Sequence, residues 1–139
     1  MDLQWLLVAR GYTLNDGTMD VSQIFQRAVV SGGPPFKVPM SVLAKVKSDP
    51  LHAGEETTFS FRVEHLETGT LVLELELPYT YPNLDAWLQG AGAYIDLDLA
   101  NVELPTVGEY TASILHKGDL LASESFVVEN GYKQKESNT

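Results

Sequence analysis

Leu104-Pro105-Thr106-Val107-Gly108-Glu109-Tyr110 is the stretch on which the reading of this chain turns. It leads into Thr111-Ala112-Ser113-Ile114, a Gly118-Asp119 turn, and a last strand ending in Phe126-Val127-Val128. A Gly-x-Tyr at the start of a late strand has the form of a tyrosine corner. In such a corner the ring packs inward while the hydroxyl bonds to backbone a few residues upstream, which pins a crossover between two sheets. Tyr110 is therefore expected to be buried and structural. The motif specifies architecture and carries no chemistry.

On either side, short alternating apolar segments recur between Gly, Pro and Asn signals, the pattern of an all-β chain. Strand one covers roughly Leu3 to Leu14. Asn15-Asp16-Gly17 reads as a hairpin turn, because these residues tolerate positive φ, and Thr18 to Val30 returns. After a Ser31-Gly32-Gly33-Pro34-Pro35 loop, Val38, Met40, Val42, Ala44 and Val46 alternate with Ser41, Leu43, Lys45 and Lys47. That period of two gives a half-buried strand with a lysine-bearing outer face. The fold class is all-β, an immunoglobulin-like antiparallel β-sandwich with one short crossover helix.

The central hairpin can be read more strictly. Phe59, Phe61, Val63 and His65 share one face of its first strand; Leu71, Leu73, Leu75 and Leu77 share one face of its second. A three-residue turn, Glu67-Thr68-Gly69 with Gly69 left-handed, puts both sets on the same side. Val63 then meets Leu73, Phe61 meets Leu75, Phe59 meets Leu77, and Arg62 lies opposite Glu74 as a favourable cross-strand pair. Tyr110 to His116 and Leu120 to Val128 form the last hairpin, with a bulge expected near Ser123 and Ser125.

Pro78-Tyr79-Thr80-Tyr81-Pro82 suits no central strand. Asn83 can cap a short helix, Leu84 to Gln89, ended by Gly90. Ile95, Leu97 and Leu99 then alternate with Asp96, Asp98 and Ala100 in another strand.

With 139 residues and 44% apolar content, one domain with a real core is expected at 1–129, followed by a mobile tail at 130–139. The net charge of −10 argues against nucleic acid and against anionic membranes as partners. There is no cysteine, which removes disulfides, thiol catalysis and Cys-based zinc sites and suits the cytoplasm. Met1 to Ala9 has an acid where a signal peptide has a basic segment, and Arg10 follows too soon. It reads as a buried first strand, and no apolar run reaches membrane-spanning length.

His52, His65 and His116 are scattered without the short-spaced pair of a zinc site, so neither a metal nor any other cofactor is expected. Asp96 and Asp98, like Glu74 and Glu76, read as alternating acids on solvent faces rather than a calcium or glycosidase pair. No nucleophile elbow, phosphate loop or dinucleotide fingerprint occurs. The region with binding character is 78–92, where Tyr79, Tyr81 and Trp87 are of the kind enriched at interfaces and sugar-stacking platforms. Against that stands a structural role, with Trp87 and Leu88 plugging the end of the sandwich.

The chain resembles a bacterial family of small, uncharacterised immunoglobulin-like β-sandwich proteins, also found in phage-related settings. The matching pieces run in order from Leu3–Ala9, through Gly17-Thr18-Met19-Asp20-Val21, Ile24-Phe25 and Pro35-Phe36. They continue with Gly54-Glu55-Glu56-Thr57 leading into Phe59-Ser60-Phe61-Arg62-Val63, then Val107-Gly108-Glu109-Tyr110. Gly118-Asp119-Leu120-Leu121-Ala122 with Phe126-Val127-Val128 completes the set. Where the family has Pro directly before the corner Gly, this chain has Val107, with Pro105 earlier. The resemblance implies the fold and brings no catalytic residues.

The expected function is a non-enzymatic interaction or structural module. Its partner is another protein or a second copy, met at a sheet edge or loop end. A small-ligand or carbohydrate-binding sandwich using Tyr79, Tyr81 and Trp87 is the alternative. Strand one is apolar on both faces: Leu3, Trp5 and Leu7 on one side, Leu6 and Val8 on the other. It must be covered twice, by its own domain and by either the Pro34-Pro35-Phe36 loop or a second subunit, the latter in a two-fold homodimer.

Overall fold

The computed structural model describes residues 3–15, 18–24, 26–46, 50–85 and 94–131. They form β1 (Leu3–Asn15), β2 (Thr18–Ile24), β3 (Arg27–Val30), β4 (Phe36–Lys37), β5 (Ser41–Val46), β6 (Glu56–His65), β7 (Leu71–Thr80), β8 (Tyr94–Asp98), β9 (Glu103–Leu104), β10 (Gly108–His116) and β11 (Asp119–Asn130). A 3-10 turn, Pro50–His52, precedes β6. The strands make one sheet in the order β2-β1-β5-β8, a second in the order β3-β11-β10-β6-β7, and a small β4-β9 ribbon. The chain is all-β. Among the described residues no helix is long and apolar enough to cross a membrane.

The two larger sheets share one apolar core. Val8, Val42, Ala44 and Ile95 line it from the first; Phe59, Phe61, Val63, Ile114, Phe126 and Val128 line it from the second. These are the alternate residues of their strands, as a period of two requires when one face of each sheet is buried.

The central hairpin has the register that its parity demands: Val63 pairs with Leu73, Phe61 with Leu75, Phe59 with Leu77 and Arg62 with Glu74. Arg62 Nε donates to Glu74 Oε2 at 2.9 Å on the exposed face. The turn reaches this register by another route than a three-residue loop. His65 N–H donates to the Thr70 carbonyl (2.9 Å) and Gly69 N–H to that of His65 (2.8 Å), so the loop is Leu66 to Gly69, with Gly69 at φ 69°. An extra residue in β7 compensates. Glu64 faces Leu71 while Val63 faces Leu73, leaving Val72 bulged between them. Val72 consequently packs on the core while Leu71 is exposed, so Leu71 does not share the face of Leu73 and Leu77.

Turns and bulges are displaced from their expected places elsewhere too. The last hairpin turns at Lys117-Gly118 (φ 52° and 85°), with His116 opposite Asp119, one residue earlier than a Gly118-Asp119 turn. Its bulge falls where Ile114 faces Ala122 and Leu115 faces Leu120, at Leu121 rather than at the serines. In β1 a shift between Leu3 and Trp5 sets Leu3 opposite Val46 and turns it toward the core, away from the face of Trp5 and Leu7. Strand β7 continues through Pro78 to Thr80, which is possible because β7 is an edge strand. Leu84 and Asp85 are helical; the rest of the expected crossover helix, Trp87 and Gly90 included, lies outside the described residues, as does 132–139 of the expected tail.

Thr18 to Val30 is not one returning strand. Strand β2 pairs antiparallel with β1, and the chain then changes sheets, so that β3 pairs parallel with β11. The outer face of β1 is partly covered from within the chain. Tyr12 on β1 donates its hydroxyl to Asp96 on β8, joining two strands of the same sheet. Leu43, in the row of Leu7 and Asp96, is fully buried, and Trp5 meets Tyr94 with ring centroids 6.1 Å apart. The bond to Asp96, then burial and the charges of Asp96 and Asp98, push the Tyr12 hydroxyl up to about 12. Of the Pro34-Pro35-Phe36 loop, Pro34 and Pro35 are exposed, while Phe36 is buried and paired with Leu104. Leu6 and Val8 face the core, so neither offers a surface to a second subunit.

Candidate functional site

The corner organises one end of the molecule. Tyr110 is fully buried; its hydroxyl donates to the Thr106 carbonyl at 2.6 Å and accepts from Thr106 N–H at 3.3 Å. Its ring stacks on Phe126 (5.5 Å) and meets His65 edge-on (4.9 Å). His65 is itself buried. Its Nδ1 accepts from Thr68 N–H at 3.3 Å, which leaves the proton on Nε2 to be donated to the Val107 carbonyl at 3.1 Å. The 104–108 segment is thus tied from both sides. That fixes β9, which pairs Leu104 with Phe36 and Glu103 with Lys37, and so fixes β4.

Of the expected aromatic platform, Tyr79 and Tyr81 are not openly displayed. Tyr81 is 7% exposed and belongs to the core. Backbone bonds hold it there: Tyr81 N–H donates to the Glu55 carbonyl (2.9 Å) and Gly54 N–H to the Pro82 carbonyl (3.2 Å). Tyr79 is half-buried between Phe59 (5.6 Å) and Tyr81 (5.3 Å), both edge-on, and His52 stacks on Tyr81 at 5.7 Å. The Tyr79 hydroxyl is buried with no hydrogen-bond partner, and burial, with Tyr81 adding to it, pushes it up to about 12. Trp87, the third residue of the expected platform, lies outside the described residues.

The histidines do not converge. His65 sits opposite Tyr110, and His116 opposite Phe59 at the other end of the same strand pair. His116 Nε2 is 2.8 Å from Thr57 Oγ1, while His52 pairs with Glu55. Among the described residues no group of three or more His, Asp or Glu is placed to hold a metal ion. Asp96 accepts from Tyr12, and Asp98 Oδ1 accepts from Ala100 N–H at 2.9 Å, so these two carboxylates serve local structure.

A groove of about 320 Å³ lies where the chain changes sheets. One wall is β3 and Ser31; the other is the segment from Pro35 to Pro39, including β4. Arg10, Arg27 and Lys37 line it, three of the chain's nine lysines and arginines, and among the described residues no acidic one does. Arg27 Nε pairs with Glu129 Oε1 at 3.2 Å. Glu103 is opposite Lys37 in the β4-β9 register. All three cations are exposed.

The groove was not legible in the sequence. Arg10, Arg27 and Lys37 share no spacing; the sheet change and the β4-β9 pairing bring them together. For His65 a signal existed, its parity with Phe59, Phe61 and Val63.

No family profile and no curated protein matches the chain. Among solved structures it is similar to the Pseudomonas fluorescens alkylpurine DNA glycosylase AlkC bound to DNA containing an abasic site analog. The TM-score is 0.39 at 11% identity, over 89% of this chain and 30% of that one. The chain thus spans about a third of that structure's length, and a likeness this slight carries neither fold nor activity across.

Proposed function

We propose that the chain is a non-enzymatic interaction module on an immunoglobulin-like β-sandwich, engaging a protein partner through the free edge of β3. The hydroxyl bond of Tyr110 to the loop upstream supports the immunoglobulin-like reading, as do two sheets around a common core and the resemblance to the bacterial, phage-related family. The lack of cysteine accords with a cytoplasmic setting.

One observation carries the functional reading. Strand β3 ends its sheet, and Val127 N–H donates to the Gln26 carbonyl at 2.7 Å. In a parallel ladder with Arg27 opposite Val127, this sets Ala28 and Val30 to bond with β11. Arg27 and Val29 then point their N–H and C=O away from the sheet, along the groove. A row of unpaired backbone groups is a template for an added strand. The opposite edge, β7, is blunted by the exposed Glu74 and Glu76 and by Pro78.

Val29→Pro removes one outward N–H and leaves the β11 ladder intact, since proline is tolerated on an edge whose N–H faces solvent. Peptides selected from a random library against the folded chain are expected to bind the parent and to fail on the variant, with its melting temperature preserved. Equal binding to both overturns the reading. The alternative, a small-ligand or carbohydrate-binding sandwich, has less support, because stacking needs open ring faces and Tyr81 is buried.

A further inference from the structure

We infer that the β3 groove takes an extended acidic peptide, added as a strand on the edge of β3 with its carboxylates met by Arg10 and Lys37. The inference rests on the edge-binding reading above and names the partner's chemistry.

The chain carries −10, so a like-charged surface repels an acidic partner almost everywhere. This groove departs from that balance: among the described residues three cations and no acid line it. Arg27 is partly neutralised by Glu129, but neither Arg10 nor Lys37 forms an ion pair among the described residues. The two come from different sheets. Arg10 is on β1, Lys37 on the β4-β9 ribbon, and the open edge of β3 completes the lining. A strand laid on β3 would place alternate side chains toward the cations on the groove walls. Main-chain bonds to Val29 would supply affinity without sequence preference, and the cations would supply the selection for acids. A small free anion would use the cations but not the backbone edge, which is why the edge favours a peptide.

The test uses the full chain and two synthetic hexapeptides, one alternating Val and Glu, the other alternating Val and Gln, with inorganic pyrophosphate as a third probe. Fluorescence anisotropy is expected to show the Glu peptide binding, with affinity falling as salt rises, and the Gln peptide weaker by roughly tenfold. Arg10→Glu with Lys37→Glu should lose the Glu peptide to a similar degree, whereas Lys117→Glu, on the distant β10-β11 turn, should not. Amide exchange should slow at Val29 when the Glu peptide is bound.

If both peptides bind equally and Val29→Pro loses both, the acidic preference is wrong and the edge reading stands. If Val29→Pro binds the Glu peptide as well as the parent does, the edge reading fails and this inference with it. Binding of pyrophosphate at the groove without the Glu peptide would make it a small-anion site and overturn the peptide. A doubled mass that Val29→Pro reverses would identify a second copy as the occupant and overturn a separate partner.

Discussion

The imidazole of His65 occupies the place that any side chain at Gly108 would need: a Cβ built there would lie 2.5 Å from His65 Nε2. Gly108 also has φ 131°, a conformation side chains avoid. The closeness serves the corner, because it lets His65 donate to the Val107 carbonyl and wedge its edge against Tyr110. Gly108→Ala should therefore cost about 2–4 kcal/mol, from strain and displacement of His65 together. Urea unfolding measures it, and a cost below about 0.5 kcal/mol would show that the contact yields freely.

Two tyrosine-to-phenylalanine changes should have opposite signs. Tyr110→Phe removes a hydroxyl that donates to Thr106 and accepts from it, and should destabilise by about 1–2 kcal/mol. Tyr79→Phe removes a buried hydroxyl with no partner and should be neutral or stabilising by up to about 1 kcal/mol. Paired thermal melts decide. Equal losses would mean that Tyr79 has a partner or that the corner bond is worth little.

Burial lowers the pKa of His116, Lys117 adds to the shift and Asp119 opposes it. The unfolded chain therefore takes up this proton first as pH falls. Stability from this group is fully present above the unfolded value of about 6.5 and is lost on going below it. The parent's urea midpoint should accordingly fall more between pH 7.5 and 5, on the order of the ordinary histidine range, than that of His116→Gln. Parallel pH profiles would remove His116 from the account.

Because Leu6 and Val8 face the core and Trp5 packs on Tyr94 of its own chain, the chain should be a monomer of 15.3 kDa at micromolar concentration in light scattering. Leu6→Glu should unfold it, by about 3 kcal/mol or more, because Leu6 faces the core. A stable dimer whose contact is lost in a folded Leu6→Glu variant would contradict both statements.

What was legible in the sequence was what a period of two encodes. Parity placed Phe61 opposite Leu75, and the charges of Arg62 and Glu74 agreed with it, so two independent signals specified one register. The turn length was not legible, because a bulge at Val72 conserves parity beyond it while moving Leu71 to solvent. Tyr110 was legible because its motif is local. The role of Tyr81 was not, since only the return of Glu55 beside it makes an amphipathic ring part of the core. The β3 groove was invisible for a deeper reason: a parallel pairing between β3 and the end of the chain is non-local, and no spacing along the sequence records it.

The claim that β3 offers a free edge is tested most directly by amide hydrogen exchange across residues 26–31 in the chain alone. Exchange should alternate: slow at Ala28 and Val30, whose N–H groups bond to β11, and fast at Arg27 and Val29, which face the groove. Slow exchange at Val29 in the free chain would mean that the edge is already paired, and would contradict the account.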